Sequence, residues 1–347
     1  MATLTPGVVT PTNDKFWAAG QSYDAPNPSY SGTFIPTLWS GKMAQKFYNT
    51  TIFGAIANTD WQGEINNLGD TVIINTIPTI NTREYKIGQR LEYETPNAET
   101  IQLKIDQARY FGVNVNDVLE YQSKPNLMNM FTDDATQQMK LHIDAQVMQA
   151  AFFKDDGTWK TSESGKEALW VKNQGAGAGA VSGAYNLGTD AAPVALTADN
   201  ILSYITMLST VLDEANIPES GRYLVISPKE RQLLMMSNLA QAQFMGDATS
   251  VLRNGKIGSI DRFEIYLSNQ LPRADASKGW TGKAGSGAKR HLIFAGHKCG
   301  ISFASQITKT EHLRNPDDFG DLVRGLQVWG STISQGQALA PLVVADN

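Results

Sequence analysis

Cysteine, charged residues and long apolar runs are all scarce in this sequence. The single cysteine, Cys299, excludes an intrachain disulfide and favours folding in a reducing compartment. No apolar run reaches the ~20 residues that a membrane-spanning helix needs. The first twenty residues also lack the basic start and apolar stretch of a signal peptide. These absences predict synthesis in the cytoplasm and no membrane partner.

Charged residues make up only 18 % of the 347 residues, below the roughly 25 % of an average soluble domain. Acidic residues outnumber basic ones by 34 to 29, and the formal net charge is −5. A protein that coats nucleic acid needs a basic excess to displace the counterions of the phosphates. If this protein surrounds DNA, we therefore expect it to act as a container. The low content of charged residues also favours a protein whose surface is largely covered by other chains.

The residue patterns of common catalytic and metal sites are missing as well. The sequence has no Gly-x-Ser-x-Gly elbow, no Walker-type phosphate loop and no His-Glu-x-x-His motif. His297 and Cys299 form a His-x-Cys pair that could share one strand face, but two ligands are too few for a metal site. We interpret His142, which lies mid-helix among apolar neighbours, as a packing residue. The sequence therefore predicts no catalytic residue, no metal site and no cofactor.

The N-terminal 33 residues are rich in Thr, Pro, Gly, Ser and Asn. Such a composition cannot build a core of its own and is typical of a mobile arm. The aromatic residues Phe16 and Trp17 favour docking of this arm on another surface, and a disordered tail is the alternative. A helix is expected after Pro36, because proline is favoured at the first helical position.

Residues 70–115 are predicted to form two long strands joined by a polar tip. A lone two-stranded ribbon is only marginally stable in water, so this hairpin needs support from its own chain or from a neighbour. The tip suits ion pairs across a subunit boundary, although a solvated loop is the alternative. Its charged residues are Arg83, Glu84, Lys86, Arg90, Glu92 and Glu94.

Residues 125–153 carry the strongest helix signal, with Pro125 in the first turn and no later glycine or proline. Apolar residues recur in it at every fourth position, and such a strip winds around a helix of 3.6 residues per turn. We therefore expect a long spine helix that is covered on more than one side. The strip consists of Leu127, Phe131, Ala135, Met139, Ile143, Val147 and Ala151.

Residues 155–290 alternate between helix and strand signals and predict a compact α/β unit. The Gly/Ala-rich tract 172–188 indicates a flexible surface excursion. An amphipathic helix is predicted after Thr197, followed by a buried strand at 222–227. Ser227 and Glu230 form a capping box that opens the next helix. Residues from His291 onward are predicted to be mostly strand.

The order of these elements resembles that of tailed-bacteriophage major capsid proteins with the Hong Kong 97 fold. Three stretches carry the resemblance: GDTVIINTIPTI at 69–80, GKIGSIDRFEIYLSNQLP at 255–272 and VRGLQVWGSTISQGQALAPLVVA at 323–345. The resemblance implies an α+β fold with an N-terminal arm, an extended β-hairpin loop, a peripheral domain with a long spine helix, and an axial α/β domain. The implied ranges are 1–33 for the arm, 68–108 for the extended loop, 34–67, 109–154 and 291–347 for the peripheral domain, and 155–290 for the axial domain.

The resemblance also implies a function. Many copies, arranged as hexamers and pentamers, would close into an icosahedral shell around double-stranded DNA without sequence-specific binding. It implies a separate scaffolding protein, a portal and a decoration protein as partners, with synthesis in the host bacterial cytoplasm and residence in the virion capsid. Inter-subunit contacts are expected at the six charged tip residues and at Phe16 and Trp17. Because no asparagine partner for Lys86 can be named, we expect these contacts to be noncovalent.

Three other functions remain open at this point. An encapsulin-type compartment would keep the fold and enclose proteins, and the contents of purified particles would identify it. A soluble α/β enzyme would run as a monomer or small oligomer. A tail or portal component is disfavoured, because the sequence has no repeat and one long hairpin.

Overall fold

The computed structural model describes eleven stretches of the chain: residues 51–61, 71–75, 80–95, 100–116, 127–154, 156–160, 166–237, 258–275, 280–281, 288–316 and 319–346. All of them belong to one compact unit, Lys42–Asn347. Phe16, Trp17 and the helix expected after Pro36 lie outside the described residues.

Within these stretches there are four helices: α1 (Phe53–Ile56), α2 (Leu127–Phe152), α3 (Ile201–Glu214) and α4 (Pro228–Met236). The strands are β1 (Thr71–Asn75), β2 (Thr100–Lys104), β3 (Gln107–Asn116), β4 (Arg222–Ile226), β5 (Ser259–Ile260), β6 (Phe263–Leu267), β7 (Arg273–Asp275), β8 (Trp280–Thr281), β9 (Ala288–His297), β10 (Ile301–Arg314), β11 (Gly320–Ile333) and β12 (Leu339–Ala345). Short 3-10 segments lie at Lys166–Asn173, Gly175–Gly177 and Gly336–Ala338.

The described strands form three sheets. β1 and β2 make an antiparallel ribbon, and β11 pairs with β10 on one side and β3 on the other. The third sheet has seven strands and is organised around β9, which pairs with β12 along one edge and with β4 and β7 along the other. β6 continues this sheet parallel to β4. The mixture of helices with mainly antiparallel sheets is an α+β architecture, as the resemblance implied.

The domain boundary expected at residues 290–291 lies within a continuous strand. It falls inside β9, and both β9 and β12 lie in the same sheet as β4. Ile293 and Leu342 also pack into the core that holds Leu208 and Leu224. These two strands therefore contribute to both cores, because Phe294 and Val343 pack with the spine helix. Local sequence patterns could not reveal this, because the pairing joins strands about seventy residues apart. The remainder of the domain division stays a prediction.

The second strand of the predicted hairpin is also different in the structure. It breaks after Lys104 into β2, which pairs with β1, and β3, which pairs with β11. At the break the chain crosses β11 so closely that a Cβ on Gly330 would lie 2.1 Å from the carbonyl oxygen of Lys104. Ile105 is fully buried at this crossing beside Val328. The ribbon is thus anchored at its base by the three-stranded sheet.

Helix α2 confirms the predicted spine helix, but only part of its apolar strip is buried. Met139, Ile143, Val147 and Ala151 lie in the main core with the side chains of α1, β9, β11 and β12. Phe131, however, is 37 % exposed, so the expected burial of the strip is wrong at this residue. Burial follows the extent of the covering strands, which the helix sequence does not encode.

A second core lies between α3 and the seven-stranded sheet. Helix α3 begins at Ile201 rather than directly after Thr197, because the Asn200 side chain accepts the Thr197 N–H at 2.8 Å and holds a turn. The capping box at Ser227 and Glu230 is confirmed. The Gly/Ala tract is more ordered than predicted: Ala178 and Leu187 are buried in this core.

We expect Met139→Asp to prevent folding. Met139 is 8 % exposed, and an unpaired charge in the core costs several kcal/mol. Phe131→Asp on the same helix is the matched control, because its side chain reaches solvent. Circular dichroism and thermal melting measure both; a folded Met139→Asp protein would show that this helix face is not part of the core.

Gly330→Ala should lower the melting temperature strongly. Its new methyl group would overlap the Lys104 carbonyl, and forcing β2 away from β11 costs about 1–3 kcal/mol or more. Gly112→Ala, in the neighbouring strand β3, is the control, since nothing lies within 4 Å of a Cβ there. Equal melting temperatures for the two variants would contradict the close crossing.

Candidate assembly surface

The most exposed feature of the described chain is the segment that follows β1 and leads back to β2. Residues 80–95, here called the loop tip, reverse direction at a turn in which the Gln89 N–H donates to the Lys86 carbonyl at 3.0 Å. Gly88 occupies this turn with a φ of 89°, a conformation that favours glycine. Further from the turn, the Asn81 N–H donates to Glu94 Oε1 at 3.3 Å. The two arms of the loop tip therefore contact each other.

The six charged residues of the loop tip have different surroundings. Arg83 and Glu92 form an ion pair between the two arms of the same chain. Glu94 is half-buried against Asn81, whereas Glu84, Lys86 and Arg90 are exposed. An exposed ion pair contributes little to stability, typically about 0–1 kcal/mol. The role of the six charged residues as inter-subunit contacts stays a prediction. Arg83 and Glu92 already pair with each other within the chain.

Sequence reasoning missed the apolar side chains of the loop tip. Ile87 is 97 % exposed and Tyr93 is 89 % exposed, and three more large apolar side chains are mostly exposed beside them. Contiguous exposed apolar residues mark interaction surfaces. The signal was present as alternating apolar and charged residues in EYKIGQRLEY, but the charges favoured the interpretation as a polar tip. The five apolar residues are Ile80, Tyr85, Ile87, Leu91 and Tyr93.

Asp144 connects the spine helix to the segment that enters α1. Its Oδ1 accepts the backbone N–H groups of Ile52 at 3.0 Å and Phe53 at 2.9 Å, so it caps the start of α1 across the core. The side chain is fully buried. Burial raises the pKa of Asp144 to about 6, although the two backbone hydrogen bonds oppose this rise.

A buried ionic cluster holds the C-terminal end of the described chain. His291 Nε2 lies 3.1 Å from Glu230 Oε1, and its Nδ1 lies 2.8 Å from Asp346 Oδ1. Burial alone would lower the pKa of His291, but the two carboxylates outweigh it and the pKa is raised. Burial opposes ionisation of Glu230 and Asp346, yet His291 keeps the pKa of both lowered. Because His291 and Glu230 have no solvent exposure, we assign the cluster a structural role that joins α4, β9 and the end of β12.

The remaining candidate residues for chemistry are placed as follows. His297 Nδ1 lies 3.0 Å from Cys299 Sγ, but the two meet through the turn after β9 rather than along a strand. His142 is exposed, so its interpretation as a packing residue is wrong. Among the described residues, no group of three or more potential metal ligands comes together. No described helix is long and apolar enough to cross a membrane.

The stability of the protein should depend on pH through Asp144. Its folded pKa of about 6 lies above the ordinary 3.8, so its contribution to stability is present at low pH and is lost as the pH rises through about 6. Asp144→Asn keeps an acceptor without the charge. We expect the melting temperature of the variant, relative to the natural protein, to rise between about pH 4 and 6 and to level off above that, where Asp144 is ionised in both the folded and the unfolded state.

Two controls accompany this measurement. Asp144→Ala loses both hydrogen bonds to the start of α1 and should be less stable at every pH. Asp133→Asn changes an exposed carboxylate of the same helix and should leave the pH profile unchanged. A pH-independent difference between Asp144→Asn and the natural protein would contradict the raised pKa.

Comparison with known proteins rests on structure rather than sequence. No family model and no curated protein matches the chain. A structure from Mycobacterium phage Che8 matches with a TM-score of 0.65 and 22 % identity, covering 89 % of this chain and 97 % of that one.

Two further structures are similar. The capsid structure of the cyanophage P-SCSP1u matches with a TM-score of 0.63 and 16 % identity over 90 % of this chain and 94 % of that one. The capsid of Ralstonia phage GP4 matches with a TM-score of 0.58 and 11 % identity over 93 % and 98 %. The chain therefore has the fold of tailed-phage major capsid proteins, as the sequence resemblance implied.

Proposed function

We propose that this chain is a major capsid protein that self-assembles into the icosahedral shell around the double-stranded DNA genome of a tailed bacteriophage. The observation that carries the proposal is the fold, which matches capsid structures over about nine-tenths of this chain and nearly all of theirs. On this proposal the protein has a structural role rather than an enzymatic one, and it resides in the virion capsid after synthesis in the host bacterial cytoplasm.

The exposed ribbon supports assembly on physical grounds. β1 and β2 pair over only five residues on each strand, and the loop tip beyond them exposes five large apolar side chains. A ribbon of this kind is marginal in water, and burying each such side chain contributes roughly 1.5–3 kcal/mol. Contact with a neighbouring copy would supply that burial. The same contact would bring Glu84, Lys86 and Arg90 to the boundary between subunits.

The proposed partners follow from a shell of this kind. They are many copies of the chain in hexamers and pentamers, a separate scaffolding protein, a portal and a decoration protein. The N-terminal residues Phe16 and Trp17 are proposed as further inter-subunit contacts. A net charge of −5 supports enclosure of DNA without sequence-specific binding.

Replacement of residues 84–92 by a short Gly/Ser turn should separate folding from assembly. These residues are exposed within one chain, so the melting temperature of the unassembled subunit should change little. Shell closure should fail or be misdirected, because each loop tip can no longer hold the next subunit. Cryo-microscopy of the assembly products measures this.

Two narrower variants identify which contacts matter. The double variant Ile87→Ser/Leu91→Ser removes apolar surface, whereas Glu84→Gln/Arg90→Gln removes charge only. We expect the first to impair shell closure more than the second at physiological salt, because exposed charges are screened over ~8 Å there. Ile87→Leu is the conservative control and should assemble normally. Closed shells from the Gly/Ser replacement would show that the loop tip does not hold neighbouring subunits.

A further inference from the structure

A cavity of about 560 Å³ lies between the spine helix and the three-stranded sheet. From here on it is called the spine groove. One wall is the face of α2 that carries His142, Gln146 and Gln149, and it extends to the C-terminal end of the helix. This face lies next to the one that packs into the core. The other wall is formed by alternate residues of β3 and β11. These residues are Gln107 and Arg109 of β3 and Trp329 and Ser331 of β11.

The spine groove is positively charged although the chain is acidic overall. Among the described lining residues, Arg109, Lys154 and Lys160 carry positive charge and Asp106 carries a carboxylate; Lys154 also interacts with the carboxylate of Asp156 outside the groove. The C-terminal end of α2 adds about half a negative charge, so a surplus of positive charge remains. Neither Arg109 nor Lys160 has an ion-pair partner in the part of the chain that the structure describes.

The backbone fixes the two lysines at the end of the spine helix. The Lys154 N–H donates to the Thr158 carbonyl at 2.8 Å, and the Lys160 N–H donates to the Phe152 carbonyl at 3.0 Å. Across the floor of the groove, Gln146 Nε2 donates to Gln107 Oε1 at 2.7 Å and joins helix to sheet.

We propose that the spine groove binds backbone phosphates of nucleic acid. An arginine fork and lysine ammonium groups are the side chains that bind phosphate best, and the neighbouring glutamine amides can donate to phosphate or sugar oxygens. The volume accommodates one or two phosphates with their sugars from a strand that passes the mouth of the groove, while the rest of a duplex stays outside. Binding is therefore weak, independent of sequence and confined to the groove. The inference rests on the proposed function, since a DNA container brings the genome against its subunits.

The test is fluorescence anisotropy of the full-length protein with a labelled 20-base-pair duplex over a salt series. Arg109→Gln/Lys160→Gln should weaken binding about tenfold at low salt and reduce the salt slope by about two, one for each phosphate that the variant no longer neutralises. Lys289→Gln/Lys298→Gln is the matched control, because it removes the same charge from exposed positions elsewhere. The control should change affinity by less than about twofold, since its charges touch no phosphate.

Equal decreases in affinity in the two double variants would overturn the proposal, because they would reflect net charge alone. Competition with inorganic phosphate and with polyglutamate tests other ligands. Groove-dependent binding of either, without groove-dependent binding of DNA, would also overturn the proposal in favour of a free anion or an acidic peptide. Melting temperatures confirm that both double variants are folded.

Electron microscopy of particles made from the same variants separates this proposal from the proposed function. Closed shells combined with weakened DNA binding in the groove variant support both. If the natural protein forms no shell but its DNA binding depends on the groove, the groove proposal stands and the capsid function fails. If shells form and DNA binding does not depend on the groove, the groove proposal alone fails.

Discussion

Burial of one face of the spine helix is the constraint on which the rest of the fold depends. Ile143 and Val147 have no solvent exposure, and the strands that cover them come from β9, β11 and β12, more than 130 residues further along the chain. Each fully buried side chain of this kind contributes roughly 1.5–3 kcal/mol. The core around the spine helix is therefore complete only when the C-terminal strands pack on it. The opposite face of β9 and β12 packs in the second core, against α3.

The outer parts of the chain contrast with this core. Asp144 holds the segment that enters α1 to the spine helix. The His291 cluster holds Asp346, at the other end of the described chain, to the seven-stranded sheet. The ribbon, by comparison, has a five-residue ladder and an almost fully exposed loop tip. A compact unit with one weakly supported, apolar extension is suited to contact with copies of itself. On the proposed function, stability within the chain and attraction between chains are located in different residues.

Much of this architecture could be predicted from the sequence, because its signals were local. The spine helix, the α3 face and the capping box at Ser227 all depend on spacing within one element. The break between β2 and β3, the sheet membership of β9 and the exposure of Phe131 depend on distant strands and could not be predicted. The apolar loop tip was visible in the sequence, but its charges suggested a polar surface.

On the proposed function, copies of this chain associate into a closed shell. Negative-stain microscopy of the purified full-length protein, combined with light scattering, tests it most directly. We expect closed particles of many copies, or capsomers that close when a scaffolding protein is supplied. A protein that remains strictly monomeric at all concentrations, with its loop tip ordered, would contradict it.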